Sequence, residues 1–229
     1  MTTLTELRRA FRALSALLAD PDDLPQVFTI IDAFSSLPRL ERRVGGTDNG
    51  RRLLDEQPNI VPLLSDRAAL RRLPDGSVGR AYLDFVESEN ISADGIVAAD
   101  HKDGTRVESA REAWLRRRLR DTHDLWHTLT GYRGDVLGEA SILGFTLAQS
   151  WNTGIALSVG LGLMKTVGKP QARRVILDGY RRGRRAAWFI DQPWETLLAL
   201  PLDEVRRQLD IDGPPVYTPV RSSELRAAA

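Results

Sequence analysis

A chain of 229 residues without a single cysteine can form no disulfide, no thiolate metal site and no cysteine nucleophile. Its length allows one core to bury roughly 70% of the unfolded surface without a covalent staple. Lysine and arginine total 32 against 31 aspartates and glutamates, a formal net charge of +1, so no basic excess points to nucleic acid.

The opening stretch MTTLTELRRAFRALSALLAD lacks the basic end and unbroken apolar run of a secretory signal. It is arginine-rich, but Glu6 and Asp20 flank it, and it reads as the first helix of a cytoplasmic protein rather than a mitochondrial presequence. Leu7, Phe11, Leu14, Leu17 and Leu18 recur at helical spacing until Pro21-Asp22-Asp23. Val27, Ile30, Ile31 and Phe34 carry a second helix as far as Pro38. GGTDNG at 45–50 is a turn cluster, and Leu53 and Leu54 begin a short helix that ends before Pro58. One helix is predicted over about 60–72, stopped by LPDG, and Ser77 is placed to cap the next, which carries Val78, Tyr82, Phe85 and Val86. From Asn90 to Thr105 the sequence is looser, with room for a short hairpin. A long helix follows from about Arg106 to Thr130. GYRG at 131–134 then turns the chain, and Asp135 caps what comes next.

Between Ala140 and Met164 no residue is charged, a run long enough to span a bilayer. Gln149, Ser150, Asn152, Thr153 and Gly154 fall in its middle, and unpaired polar groups in hydrocarbon cost roughly several kcal/mol. The run therefore reads as core or groove-lining helices. Gly154, Ser158, Gly160 and Gly162 leave space beside the backbone for a neighbouring helix or an apolar ligand. Helices at about 170–188 and 194–209 flank Pro193. The sum is an all-α, bundle-like single domain over residues 1–212 with an apolar groove, followed by an extended, mobile tail over 213–229.

The chemistry concentrates in HDLWHTLTGYRGDVLGE, residues 123–139. His123 and His127 are four apart, so they share one helix face, and two imidazoles at that spacing can share one ion. Leu115, Leu119, His123 and His127 form one row, so the imidazoles continue a stripe that faces the core. Glu139 heads the row Glu139, Leu143, Leu147 and Trp151 on the next helix. A short turn between antiparallel helices would bring it back toward His127, and a buried carboxylate needs a partner. Asp124 lies about 100° around the helix from His123, which favours orienting a histidine over binding the ion. The donor set suits a divalent zinc, iron or manganese and does not choose among them. Paired histidines on an apolar face are also met as buried, hydrogen-bonded core residues, and the acidic partners tip the reading toward metal.

These residues resemble a known group. H-D-x-x-H, eleven residues and Glu, here His123, Asp124, His127 and Glu139, is the signature of the coenzyme Q biosynthesis protein 4 family. Arg118-Leu119-Arg120-Asp121 stands where that family has Arg-Tyr-Arg-Glu. Leu137-Gly138-Glu139, GRRA at 183–186, Trp194-Glu195 and LPDGSVGRAYLDFVE at 73–87 are similar as well. The resemblance implies an all-α fold, a part in ubiquinone synthesis, and peripheral contact with the inner face of a membrane. It implies removal of the ring carboxyl of a polyprenylated hydroxybenzoate, with hydroxylation at the same carbon, and the metal on His123, Asp124, His127 and Glu139. The partners it implies are a polyprenylated aromatic lipid and other quinone-biosynthesis enzymes, with a homodimer left open.

On this reading the 140–164 segment and the N-terminal helices line a groove for an isoprenoid tail, and the aromatic head reaches the metal. Arg118 or Arg120 would hold a carboxylate, unless both lie on a solvated helix face. The competing expectation is a non-catalytic isoprenoid-binding scaffold with a structural metal. A zinc hydrolase is disfavoured because Asp124 stands where its glutamate base would be. A nucleic-acid module would rest on Arg181, Arg182, Arg184 and Arg185 alone.

Overall fold

The computed structural model describes residues 36–91 and 108–221, with positions 8, 12, 13, 26, 29–31 and 34 before them. The two predicted N-terminal helices and the hairpin lie almost wholly outside the described residues. Among the described residues every regular element is a helix, and the one sheet-like contact is an isolated bridge between Ser77 and Pro201. The elements are α1 Leu37–Val44, α2 Asp48–Glu56, α3 Val61–Ser65, α4 Arg67–Arg72, α5 Val78–Ser88, α6 Ala110–Asp121, α7 His123–Thr130, α8 Val136–Ser150, α9 Thr153–Lys165, α10 Pro170–Arg185, α11 Trp194–Leu197 and α12 Leu202–Gln208.

The helices are shorter and more numerous than the periodicity predicts, and each discrepancy has a local cause. Pro38, read as a stop, lies in the first turn of α1, where a missing N–H costs nothing. Inside the GGTDNG turn Thr47 accepts from Gly50 N, so α2 starts at Asp48 rather than at Leu53. The 60–72 helix breaks at Asp66, whose carboxylate accepts from Ala69 N and opens α4. The long helix predicted to Thr130 breaks at Thr122, which leaves helical geometry (φ −95°, ψ 0°) while its hydroxyl donates to Arg118 O. Its start is fixed by a reciprocal box between Ser109 and Glu112. Ser77 caps α5 and Asp135 caps α8, as their spacing predicts.

The chain forms two compact units. One comprises residues 1–36, 132–185 and 215–229, the other 37–131 and 186–214. Each draws on separated segments, so no linker in the sequence marks the division. In the first, α8 packs along α10 at close range. A Cβ on Gly179 would fall on the Ser141 carbonyl, and one on Gly183 would lie 2.6 Å from Phe145 O, so only glycine permits the approach. Gln149 Nε2 donates to Gly183 O at 2.8 Å, pairing a buried amide across the same contact. Asn152 caps α9 and interrupts the uncharged run, and no described helix is long and apolar enough to cross a membrane. Leu137, Ile155, Val159 and Ile176 form a core cluster there, covered in part by Tyr217 and Val220. The tail, expected to be mobile, is extended to residue 221 and packs on this cluster, and its remainder, 222–229, lies outside the described residues.

The second unit is built around aromatic side chains. Trp126 meets Phe189 edge-on at 5.5 Å, and Phe189 meets Trp194 at 5.4 Å. Leu115, Leu125 and Leu129 are fully buried beside them.

Candidate metal centre

Helix α7 carries the two histidines and is held at both ends. Gly131 closes it in the left-handed conformation (φ 77°), its N–H donating to His127 O. Arg206 donates from Nε to Leu129 O at 2.9 Å and from Nη2 to Thr128 O at 3.2 Å, so a cation covers the last carbonyls where the helix dipole is negative. Thr128 and Thr130 hydroxyls donate back to Asp124 O and Trp126 O, tightening the final turns.

The α7 face that carries the histidines packs on α5. Phe85 stacks on the His127 ring with centroids 5.3 Å apart and planes 16° from parallel. His127 is buried at 1% exposure, whereas His123 is half-buried. The two imidazoles stand edge to face, centroids 4.7 Å apart. Phe85 fixes the plane of His127 and so the direction of its ring nitrogens. The sequence marks it only as one more apolar residue of α5.

Glu139 lies in the first turn of α8, where the positive end of the helix favours a carboxylate. One ligand atom from each of His123, His127 and Glu139 lies within 4.8 Å of the others. Atoms bonded to one ion at about 2 Å are roughly 3–4 Å apart, a little closer than the spacing found here.

Asp124 falls outside this group. Its Oδ1 is 3.3 Å from His123 Nδ1, the relation expected of a residue that orients a histidine. Its Oδ2 is buried and makes no hydrogen bond within the structure, in a residue only 4% exposed. A buried carboxylate oxygen left this way is costly unless a cation lies near it. Two ring nitrogens and one carboxylate, with this buried oxygen's charge beside them, suit a divalent ion of the zinc, iron and manganese class.

The arginines expected to hold a carboxylate are already engaged. Arg118 is buried and makes a forked pair with Glu195, at 2.7 Å and 3.0 Å, with a further bond to Gln192 O at 3.0 Å. It is neither on a solvated face nor open to a ligand. Arg120 pairs with Asp121. Burial pushes the Glu195 carboxyl up, but the Arg118 guanidinium outweighs it and holds the group below the usual range.

Comparison with known proteins gives the arrangement a context. A sequence model described as "Coenzyme Q (ubiquinone) biosynthesis protein Coq4" matches residues 6–215. The ubiquinone biosynthesis protein COQ4, mitochondrial, of Yarrowia lipolytica is 34% identical over 173 residues, covering 72% of this chain and 63% of that protein. The COQ4 homolog of Danio rerio, also named mitochondrial, is 31% identical over 197 residues, 85% of this chain and 71% of its own. The chain thus spans somewhat under two thirds of the length of the yeast relative. A crystal structure of a candidate ubiquinone biosynthesis protein from Nostoc punctiforme PCC 73102 superposes with a TM-score of 0.65 at 21% identity, covering 90% of this chain and 98% of that one, which establishes a shared fold.

Proposed function

The chain belongs to the Coenzyme Q (ubiquinone) biosynthesis protein Coq4 family, and from that premise we propose that it acts in ubiquinone synthesis as a metal-dependent enzyme on a polyprenylated hydroxybenzoate. The reaction proposed is loss of the ring carboxyl as carbon dioxide, coupled to hydroxylation of the same carbon, with one atom of dioxygen entering the ring and the other leaving as water at the expense of a two-electron donor and two protons. The observation that carries it is the clustering of His123, His127 and Glu139 next to the buried Asp124 oxygen.

His123, His127 and Glu139 would hold the ion, and Asp124 would orient His123 and balance charge. A bound divalent ion supplies a Lewis acid that stabilises negative charge developing on a phenolate or carboxylate. The chain's own part is to bind and orient. Phe85 keeps the His127 ring in one plane, and the capping arginine keeps α7 whole. The uncharged run of α8 and α9 offers apolar surface to the isoprenoid tail. Trp151 just before α9, Leu157 and Met164 on it and Val167 just after it are exposed, as are Lys165, Lys169 and, in the first turn of α10, Arg173. That surface suits peripheral contact with anionic lipid, at about 1 kcal/mol per basic residue.

The second reading, an isoprenoid-binding scaffold with a structural metal, draws support from one observation. Arg118 and Arg120 are committed to internal carboxylates, so neither is open to a ring carboxylate. Elemental analysis of gently purified protein tests the metal: one ion per chain is expected in the parent and none in His127→Ala. The His123→Ala chain then separates the readings. Quinone synthesis lost with fold and partner binding intact supports chemistry, and synthesis retained in a metal-free chain overturns it.

A further inference from the structure

Residues 213–221 form an extended strap that closes on the helix bearing Glu139. Its side chains alternate in the manner of an extended chain: Pro215, Tyr217 and Pro219 are turned inward, while Val216 and Thr218 are exposed. Tyr217 and Val220 pack on the Leu137, Ile155, Val159 and Ile176 cluster.

What the strap grips is the first turn of α8. The four N–H groups that open a helix have no partner within it. Here Val136 N donates to Val220 O at 3.0 Å, Leu137 N and Gly138 N donate to Asp135 Oδ1 at 3.1 and 3.3 Å, and Glu139 N donates to Asp135 O at 2.8 Å. The strap therefore satisfies the first of these donors directly. It also fixes the cap that satisfies the next two: Val220 N donates to Asp135 Oδ1 at 2.8 Å and Tyr217 OH to Asp135 Oδ2 at 2.7 Å. Tyr217 OH in turn accepts from Arg133 N at 3.0 Å, tying the preceding loop to the same point. Contact is close enough that a Cβ on Gly138, the residue before Glu139, would meet the Arg133 carbonyl and lie 2.7 Å from the Tyr217 oxygen. Asp135 itself is buried at 2% exposure, so a carboxylate that loses one of these donors has no water to replace it.

We propose that Tyr217 and Val220 are positioning residues for the metal ligand Glu139, setting the first turn of α8 so that its carboxylate is preorganised for the ion. The inference rests on the metal reading given above. The family match ends at residue 215, so Tyr217 and Val220 lie just past it. Groups hydrogen-bonded directly to ligands govern metal affinity by about 10–100-fold in other proteins, and the lower end of that range is the expectation for groups acting through the helix turn.

The test uses the full-length chain with Tyr217→Phe, which removes the hydroxyl and keeps the ring, and Ile142→Val, which trims the core one turn further along α8. Zinc affinity is measured by competition with a chromogenic chelator, and amide hydrogen exchange is followed at residues 136–139 and 123–130. The expected result for Tyr217→Phe is a Kd raised about tenfold and faster exchange at 136–139, with 123–130 unchanged. Ile142→Val is expected to lower the thermal midpoint without moving Kd. A Kd for Tyr217→Phe within twofold of the parent overturns the proposal whatever the exchange shows. An equal rise in Kd for Ile142→Val also overturns it, by reducing the effect to general loosening. A parent chain that binds no zinc, or a Glu139→Gln chain that binds it as tightly as the parent, instead defeats the metal reading itself.

Discussion

Replacing Glu139 with glutamine is the cleanest perturbation of the candidate centre. The side chain is half-buried and keeps its shape, and its backbone N–H still donates to Asp135 O, so the first turn of α8 is left intact. His127→Ala, by contrast, also removes the ring that Phe85 stacks against. Structural zinc sites with four ligands bind with roughly 10–16 kcal/mol, or about 3 kcal/mol per ligand, which is at least a hundredfold in affinity. With free zinc at 100 times the parent's Kd, binding stabilises the parent by about 2.7 kcal/mol. After a hundredfold weakening the same zinc only equals Kd, and the stabilisation falls to about 0.4 kcal/mol. For a chain of this size 1 kcal/mol moves the thermal midpoint by about 2–4 °C. Zinc should therefore raise the parent's midpoint by about 5–11 °C and that of Glu139→Gln by about 1 °C. Differential scanning calorimetry at buffered free zinc reads both. Equal shifts in the two proteins would refute the assignment of Glu139 as a ligand.

Arg118→Ala leaves the half-buried Glu195 carboxylate without its fork and is expected to cost about 3–5 kcal/mol by urea unfolding; Arg118→Lys should recover only part, because an ammonium cannot pair with both oxygens. Because Arg118 holds the Glu195 carboxyl below its usual range, that contribution is fully present above about pH 4.5 and is lost as pH falls through the depressed folded value; urea midpoints measured from pH 7 to pH 3 should therefore fall more steeply for the parent than for Glu195→Gln. Gly179→Ala drives a methyl group onto the Ser141 carbonyl and should lower stability by about 1–3 kcal/mol or more, seen as a fall in thermal midpoint. Gly131→Ala combines a left-handed backbone (φ 77°) with a Cβ only 2.7 Å from Pro214 Cβ, and a loss of about 1–3 kcal/mol is expected in the same measurement.

How much of this was legible in the sequence depended on distance along the chain. The His123/His127 pair and the Ser77 and Asp135 caps are relations across two to four residues, and helical periodicity resolves them directly. Glu139 is twelve residues from His127, yet a single turn joins their helices, so the row it heads was enough to turn it inward. Helix breaks were harder. Thr122 and Asp66 lie where the apolar spacing continues unbroken, and the interruption comes from side chains bonding to nearby backbone, a competition that periodicity does not register.

Partners 60 or more residues apart left almost no trace. Nothing near Arg118 in the sequence signals that Glu195, 77 positions on, fills its fork, so the same arginine was compatible with a solvated face and with a substrate clamp. The docked tail has the same origin. Three prolines suggested mobility, but proline also lowers the entropy lost when an extended segment is fixed, and the alternation of Pro215, Tyr217 and Pro219 with exposed neighbours is the mark of a chain with one side laid on something. The candidate ligand row could thus be read from local spacing alone. The side chains packed against those candidates, Phe85 on His127 and Tyr217 beside the turn that carries Glu139, come from positions 42 and 78 residues away, where only the fold brings them into contact.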